Sequence, residues 1–355
     1  MIVRQEEDTL GRLLESVKDI VDEINIVDTG STDKTKEVAR QYTDRVFDFK
    51  WIDDFSAARN YSFSKATKQY VLWLDADDVL TEQDIERFKH LKQTMPIVDR
   101  VTMTYNLGFD AEGRVTTSLR RNRLVRRECN FQWIGAVHEY LAVGGTFLDS
   151  DVCITHHKEK VYTDRNLQIY RKRQKAGEKF STRDLYYFAN ELRDHGFHEE
   201  AASYYEKMLD TGEGWIEDNI QACLKLAGCY SKIGNERKRF EALTRALSYE
   251  IPRPEVSCAI GEYFFGEKRY SIAIFWYQQA TEITPPSTMG ITNRNAATWY
   301  PHLQLCLCYD RLGDYRKAFE HNEQALRFNP THQSMLYNRN YFRDTHQLVP
   351  EESAD

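Results

Sequence analysis

The sequence predicts a Rossmann-like α/β domain with a mostly parallel sheet, followed by an all-α array of helical repeats. Two observations lead to this fold class. Strand-like and helix-like segments alternate from Met1 to Leu80, as they do in doubly wound sheets. From about Tyr162 the strand signals stop, and apolar residues recur at helical spacing. The length of 355 residues also favours two domains over one.

The elements of the first domain follow from apolar spacing and turn residues. The predicted elements are, in order, a strand at 1–3, a helix at 9–21, a strand at 24–28, a helix reaching about 42, a strand at 45–49, a helix opening at Asp54, a strand at 70–74 and a strand at 101–107. We expect Ser31 or Thr32 to cap the second helix. Carboxylates end two of the strands, at Asp28 and Asp75, and parallel strands bring such ends to one crevice.

The stretch from Tyr70 to Leu80 is the clearest single signal. Five apolar residues predict a strand buried on both faces, and Asp75, Asp77 and Asp78 follow at once. Asp75 and Asp77 point to the same side of an extended chain. Two hard oxygen ligands suit Mg²⁺ or Mn²⁺ better than zinc. The alternative is an acidic strand end before a turn or a helix capped by Asp78 or Thr81.

Three motifs occur in an order and at a spacing that together resemble the family 2 glycosyltransferases of GT-A fold, over roughly residues 1–160. The motifs are Val27-Asp28-Thr-Gly-Ser-Thr-Asp33-Lys-Thr35, Asp54-Phe-Ser-Ala-Ala-Arg59-Asn60 and Asp75-Ala-Asp77-Asp78. The resemblance implies a nucleotide-sugar site formed by Val3, Asp28, Asp33, Arg59, Asp75, Ala76, Asp77 and Trp133.

The resemblance also implies individual roles. Asp28 contacts the nucleotide base or ribose, and Asp33 supports the same turn. Arg59 approaches the diphosphate, while Asp75 and Asp77 hold the metal that bridges it. A departing nucleoside diphosphate needs its charge neutralised, which a divalent ion and an arginine can do. The alternative for Arg59 is a surface pair with Asp53 or Asp54.

Five arginines lie within the eight positions of Arg120-Arg-Asn-Arg-Leu-Val-Arg-Arg127. One interpretation is a patch that binds a diphosphate or an acidic acceptor. The other is a strand with solvated arginines on one face, because residues of a strand alternate between its two faces. The sequence leaves both open.

Phe131 to Tyr140 carries a Trp/Gly/Val-His-Glu segment that, in similar glycosyltransferases, faces the acidic strand end. An inverting transfer needs a base for the acceptor's proton. Glu139 is the first candidate and His138 the second; the alternative is a His–Glu pair that orients the loop. His156, rather than its neighbour His157, is the candidate third metal ligand beside Asp75 and Asp77, and the alternative is an exposed pair.

The second half contains four copies of one pattern of small and aromatic residues. Ala246 and Ala280 lie 34 residues apart, which is the tetratricopeptide period. The copies resemble tetratricopeptide motifs and comprise Ala189, Leu192, Gly196, Ala201 and Tyr205; Ala227, Tyr230, Gly234 and Ala246; Gly261, Phe264, Ala273, Tyr277, Ala280 and Pro285; and Cys306, Tyr309, Gly313, Ala318, Ala325 and Pro330. Such arrays offer a concave surface to an extended partner.

The two halves together resemble the sublancin-type peptide S-glycosyltransferases of Bacillus. This implies transfer of a hexose from a nucleotide-diphosphate sugar, UDP-glucose by preference, to a Cys or Ser/Thr side chain of a peptide or protein such as a bacteriocin precursor. Transfer to a cell-surface glycan is one alternative, and a non-catalytic repeat scaffold with a degenerate site is another. The repeats could also support a homodimer.

Composition narrows the remaining classes. The net charge of −7 disfavours non-specific nucleic-acid binding. The seven cysteines contain no CxxC pair, and no apolar run or signal peptide suggests a membrane span or export, so we expect a cytoplasmic protein with reduced thiols. The expected boundaries are a GT-A domain at 1–160, a connecting helix and linker at 161–181, repeats at 182–345 and an acidic tail at 346–355.

Overall fold

The computed structural model describes residues 1–110, 113–157, 163–284, 290 and 292–350. Its contacts divide the chain into two units, Met1–Tyr187 and Phe188–Asp355. The first unit is α/β and the second is helical, so the predicted fold class is confirmed. The first unit includes the predicted linker helix at Arg165–Lys175. Of the predicted acidic tail, residues 351–355 lie outside the described residues, as do Pro285 and part of the predicted linker.

The elements are numbered in chain order. The strands are β1 (Ile2–Val3), β2 (Ile26–Asp28), β3 (Val46–Asp48), β4 (Tyr70–Leu72), β5 (Asp78–Val79), β6 (Arg100–Phe109), β7 (Val115–Arg126), β8 (Gln132–Ile134), β9 (Tyr140–Ala142), β10 (Phe147–His156) and β11 (Thr292–Asn293). The helices are α1 (Leu10–Val17), α2 (Thr35–Arg40), α3 (Phe55–Ser64), α4 (Glu82–Thr94), α5 (Arg165–Lys175), α6 (Thr182–Asp194), α7 (His198–Asp210), α8 (Ile216–Ile233), α9 (Glu236–Arg245), α10 (Pro254–Gly266), α11 (Tyr270–Glu282), α12 (Trp299–Arg311), α13 (Tyr315–Phe328) and α14 (Gln333–His346).

A parallel sheet of three strands, in the order β1-β2-β3, forms one part of the first unit. Its register places Val3 beside Asp28 and Asp28 beside Asp48. The apolar face of α1 packs here because its leucines recur at helical spacing; Leu10 and Leu14 are fully buried with Ile26. This packing fixes the carboxyl end of β2, where Asp28 lies.

The second sheet of this unit is mixed. Its described strands run β7-β6-β10-β5, and β4 pairs with β7. Only β6 and β10 are parallel among these pairs, because the long β6–β7 hairpin returns the chain in the opposite direction. The predicted parallel pattern therefore holds for the first three strands and ends at β4. A large apolar core lies against this sheet, with Val101, Met103 and Ile154 fully buried.

Local capping differs from the expectation at one helix. The structure begins α2 at Thr35, and neither Ser31 nor Thr32 caps it, so that prediction is wrong. The Asp33 carboxylate instead accepts hydrogen bonds from the Thr35 amide (3.0 Å) and hydroxyl (2.5 Å). A carboxylate accepts a hydrogen bond more strongly than a hydroxyl does, which favours Asp33 over Ser31 or Thr32 as the acceptor for the Thr35 amide.

Two other helices have side-chain caps, and one of these caps, Thr81, was a candidate in the sequence. Asp54 caps α3 by accepting from the Ala57 amide, and Thr81 caps α4 by accepting from the Asp84 amide. The strand before the aspartates is less buried than expected, since Tyr70–Leu72 is half-buried while Trp73 and Leu74 are buried. The two residues that directly precede Asp75 are therefore packed in the protein interior.

The second unit consists of antiparallel helix pairs, as the repeat pattern predicts. Gly196, Gly234 and Gly313 have positive φ angles between paired helices, where glycine has no steric penalty. At Gly261 a methyl group would lie 2.8 Å from the ring of Tyr277, which is fully buried. The small position of the repeat thus permits close approach of α10 and α11. Among the described residues, every helix is too short or too polar to cross a bilayer.

Candidate functional site

Asp78 is the buried centre of the acidic stretch. Its carboxylate is fully buried and accepts hydrogen bonds from the Tyr105 hydroxyl (2.8 Å) and the Asp75 amide (2.9 Å). The Arg123 guanidinium, also fully buried, lies 3.2 Å from the same carboxylate. Arg123 is held between the rings of Trp73 and Tyr105, at 4.0 and 4.3 Å from their centroids. The buried Asp78 carboxylate therefore fixes the positions of Tyr105, Arg123 and the Asp75 backbone, in addition to its place in the turn.

Asp77 and His156 face each other at the rim of this centre. The strand pair β5–β10 sets Asp78 opposite His156, and Asp77 Oδ1 lies 3.5 Å from His156 Nδ1. Asp77, Asp78 and His156 form a cluster whose ligand atoms lie within 4.8 Å of one another. Burial raises the pKa of Asp77, opposed by His156 and reinforced by the neighbouring carboxylates. The Asp78 carboxylate, then Asp77, raise the pKa of His156 against its burial.

Arg59 joins two carboxylates that are distant in sequence. Its Nη2 donates to Asp75 Oδ1 at 2.7 Å, and its Nε donates to Glu139 Oε1. Burial would lower the pKa of Arg59, but Asp75 and Glu139 raise it above its ordinary value. Burial would likewise raise the pKa of Asp75, yet Arg59 and Arg123 hold it well below the usual range. The alternative of a surface pair between Arg59 and Asp53 or Asp54 is wrong, because Asp53 pairs with Lys172 and Asp54 caps α3.

The segment around Trp133 lies against α3. The Asn60 side chain accepts from the Trp133 amide (2.8 Å) and donates to its carbonyl (3.0 Å), which fixes β8. The Trp133 ring is buried edge-on against Trp73, and Arg59 lies 4.8 Å from its centroid. The hairpin from β8 to β9 then carries His138, whose φ is +51°, and Glu139. The Trp133 segment thus reaches the acidic stretch through Arg59.

His138 is oriented by its neighbours rather than by Glu139. Its ring stacks on Tyr187 with centroids 4.4 Å apart, and its carbonyl accepts from Arg183. Glu139 turns to Arg59 instead. The two candidate bases therefore point to different partners.

Asp28 lies at the carboxyl end of β2. Its Oδ2 accepts from the amides of Gly30 and Ser31, both at 3.0 Å. Its buried Oδ1 has no hydrogen-bond partner within the described chain. Gly30 has a φ of +104°, which lets the turn fold back on the carboxylate. Val3 and Ala76 are buried apolar neighbours of this region.

The arginine run divides between the two interpretations. Arg123 is buried at the centre, and Arg120 donates to Thr102 and to the Ser150 carbonyl. Arg126 pairs with Glu128, and Arg127 donates to the Lys68 carbonyl. Four of these arginines therefore have structural partners. Arg121 is half-buried beside the Tyr105 ring, 5.3 Å from its centroid.

The structure brings most of the predicted residues together but changes their grouping. Asp77 and His156 lie in one cluster, whereas Asp75 belongs to the Arg59 pair. His157 is exposed and only its backbone contacts Asp77. Neither the place of Asp78 in the cluster nor its contact with Tyr105 was predicted from the sequence. The alternating strand pattern from 101 to 107 could have placed Tyr105 on the buried face, but not opposite Asp78.

Residues 1–145 match the family model described as glycosyl transferase family 2. A TPR repeat-containing protein of Synechococcus elongatus is 29% identical over 259 residues, covering 72% of this chain and 57% of that protein. The SPbeta prophage-derived glycosyltransferase SunS of Bacillus subtilis is 24% identical over 225 residues, covering 59% of this chain and 52% of SunS. The chain thus spans about half the length of these curated relatives.

Two solved structures are similar to this chain at lower identity. The crystal structure of MamA has 21% identity, a TM-score of 0.38 and coverage of 45% of this chain and 85% of its own. The TPR protein YrrB, described as having an unusual peptide-binding site, has 17% identity, a TM-score of 0.39 and coverage of 50% and 83%. Residues 1–145 are thus similar to family 2 glycosyltransferases, and the chain is similar to a repeat-containing relative over 72% of its length.

Proposed function

We propose that the protein is a metal-dependent, inverting glycosyltransferase that uses a nucleotide-diphosphate sugar, with UDP-glucose as the first donor to test. The observation that carries the proposal is the placement of Asp77 beside His156 next to the Arg59–Asp75 pair. A divalent ion, when bound there, would neutralise the charge that develops on the departing diphosphate.

The residues present fit such an ion. Asp78 is fully engaged by Tyr105, Arg123 and a backbone amide, so Asp77 and His156 are the side chains left to hold the metal. The Tyr105 hydroxyl donates to Asp78 and lies 2.9 Å from His156 Nδ1. With Nδ1 protonated as the donor of this contact, Nε2 would keep its lone pair for the ion. A carboxylate with an imidazole suits Mn²⁺, and Mg²⁺ would rely more on Asp77 and water.

Asp28 is suited to the nucleoside. Its Oδ1 is buried and lacks a partner among the described residues, a cost that a ligand hydroxyl or N–H would remove. The Gly30 and Ser31 amides hold the other oxygen, so the carboxylate cannot turn away. Asp33 fixes the same turn through Thr35.

Glu139 is the proposed base for the acceptor's proton. Its carboxylate reaches the acidic stretch through Arg59, whereas the His138 ring stacks on Tyr187. The contact with Arg59 fixes the position of the Glu139 carboxylate, and a base must be held within reach of the acceptor's proton. His138 would then shape the loop.

The acceptor is proposed from the second unit. Tetratricopeptide arrays bind extended peptides, so a peptide or protein Cys or Ser/Thr side chain is the acceptor class, and self-association through the repeats is also open to test. The relative SunS is named a glycosyltransferase. This supports the proposal of an enzyme over the alternative of a non-catalytic scaffold.

The test is isothermal titration of the full chain with UDP, UDP-glucose and GDP-mannose, each with and without Mn²⁺. Metal-dependent binding of one nucleotide, lost in Asp77→Asn with its melting temperature retained, supports the site. A cysteine peptide incubated with the bound donor should then gain one hexose by intact mass. Full metal-dependent binding by Asp77→Asn would overturn the metal assignment, and absence of all nucleotide binding would favour a scaffold.

A further inference from the structure

Arg121 differs from the other arginines of its strand in having no assigned partner. Among the described residues, no carboxylate lies within ion-pair distance of its guanidinium, and no acceptor takes its side-chain N–H groups. Its contacts are the faces of Tyr105 and Trp73, at 5.3 and 5.9 Å from their centroids. These rings hold the side chain without satisfying its donors.

Strand register places Arg121 at the acidic stretch. In the antiparallel pair β4–β7, Leu72 lies opposite Leu124, and the Trp73 amide donates to the Arg123 carbonyl. The register of β7 against β6 shifts by one residue at Arg123. Arg121, on the far side of this shift, lies over the same Trp73 and Tyr105 rings as Arg123, so the two guanidiniums are on one side of the strand. Burial raises the pKa of Asp75, whereas Arg59, Arg123 and, to a smaller extent, Arg121 lower it.

The charged groups around Arg121 favour the binding of an anion. Burial, followed by repulsion from Arg123, lowers the pKa of Arg121, which means that its surroundings disfavour the bare cation. Four carboxylates and three guanidiniums meet here, so a bound divalent ion would leave a positive surplus. The groups are Asp75, Asp77, Asp78, Glu139, Arg59, Arg121 and Arg123.

We propose that Arg121 is the guanidinium that binds the diphosphate of the donor. This proposal rests on the proposed function. It assigns to Arg121 the contact with the diphosphate that the family resemblance implied for Arg59. Arg59 is held by two carboxylates, whereas Arg121 retains the planar fork of donors that matches phosphate oxygens. The remaining arginines of the run serve the fold.

The experiment is calorimetric titration of the full chain with inorganic pyrophosphate, UDP and uridine at constant Mg²⁺. Arg121→Gln should bind pyrophosphate and UDP about tenfold or more weakly, the loss expected for charge-assisted hydrogen bonds. Arg121→Lys keeps the charge but not the fork, so we expect an intermediate loss. Uridine binding should not change in either variant.

Arg126→Gln is the matched control, because Arg126 lies on the same strand and its ion pair within the described part of the chain is with exposed Glu128. It should bind all three ligands as the wild type does. Urea unfolding of each variant shows whether the fold is kept, and Arg121→Lys serves where the glutamine variant is unstable. Equal affinity of wild type and Arg121→Gln for pyrophosphate and UDP would refute the proposal. So would a parallel loss of uridine binding, or no pyrophosphate or UDP binding by the wild type.

The two proposals fail separately. Sugar transfer that is undiminished in Arg121→Gln would overturn the diphosphate role and leave the glycosyltransferase proposal standing. Pyrophosphate binding that depends on Arg121, in a protein that transfers no sugar from any donor tested, would support the anion site and remove the catalytic function.

Discussion

Replacing Arg59 with methionine should destabilise the first unit and do so in a pH-dependent way. The substitution keeps a long apolar stem against Trp133 and removes the partner of two carboxylates. The Arg59 and Glu139 side chains are 12% and 10% exposed, and Asp75 is 29% exposed. Breaking a buried ion pair costs about 3–5 kcal/mol. Since Asp75 is partly solvated and keeps Arg123 at 3.9 Å, we expect about 3 kcal/mol at pH 7.

The stability lost in Arg59→Met should depend on pH in a definite direction. In the wild type the Asp75 pKa is depressed, so its stabilising contribution is present above the unfolded value and would be lost only at strongly acid pH. Without Arg59, burial becomes the dominant influence and the pKa of Asp75 rises. The folded variant then binds a proton more readily than the unfolded chain does, and its deficit should shrink between pH 7 and about pH 4.5.

The assay is urea unfolding of the full chain by tryptophan fluorescence, since Trp73 and Trp133 lie beside Arg59. Lys89→Met is the control: Lys89 forms an exposed pair with Glu86 in α4 and should change stability by less than about 0.5 kcal/mol. A deficit below about 1 kcal/mol for Arg59→Met, or one that stays constant down to pH 4.5, would refute the proposed network.

Three further predictions test other parts of the structure. Gly261→Ala should lower the free energy of unfolding in urea by about 2 kcal/mol, because the added methyl group would meet the fully buried Tyr277 ring. Gly266→Ala is the control and should not lower it, because the space around Gly266 is open. Equal effects of the two variants would contradict this packing. Burial and His302 lower the pKa of His321 from 6.5 to about 4, so the unfolded chain protonates first and stability falls as pH drops from 6.5 to 4. His321→Phe should recover about 2 kcal/mol of that loss after allowance for partial exposure, and an unchanged pH slope would be the contrary result. Glu139→Gln should lower kcat about 100-fold or more with smaller change in donor affinity; a loss confined to affinity would reassign it to binding.

The parts of the fold that the sequence predicts are those set by neighbouring residues. The apolar run before Asp75 and the leucine spacing of α1 depend on residues within one or two turns or strands. Asp54 and Thr81 cap helices because capping needs only a short side chain three positions before an amide. The small positions and positive-φ glycines of the repeats recur with a period, so several copies support one interpretation.

The site is less predictable because its partners are distant in sequence. The Arg59–Glu139 bond joins residues 80 positions apart, and Tyr105 reaches Asp78 across 27. Which arginine of the β7 run is buried depends on where β4 stops pairing with it. The residue types indicated an acidic, metal-binding site, but the division of labour among them follows from tertiary register.

Arg59 makes the acidic stretch and the Glu139 hairpin a single electrostatic unit. One guanidinium neutralises both Asp75 and Glu139, so removing either carboxylate strengthens its pull on the other. The effects of Asp75→Asn and Glu139→Gln on stability should therefore not add, since groups that share a charged partner are coupled. The donor side and the acceptor side of the proposed reaction are then set by the same contact. This is why Arg121, rather than Arg59, is the arginine with donors left for a phosphate.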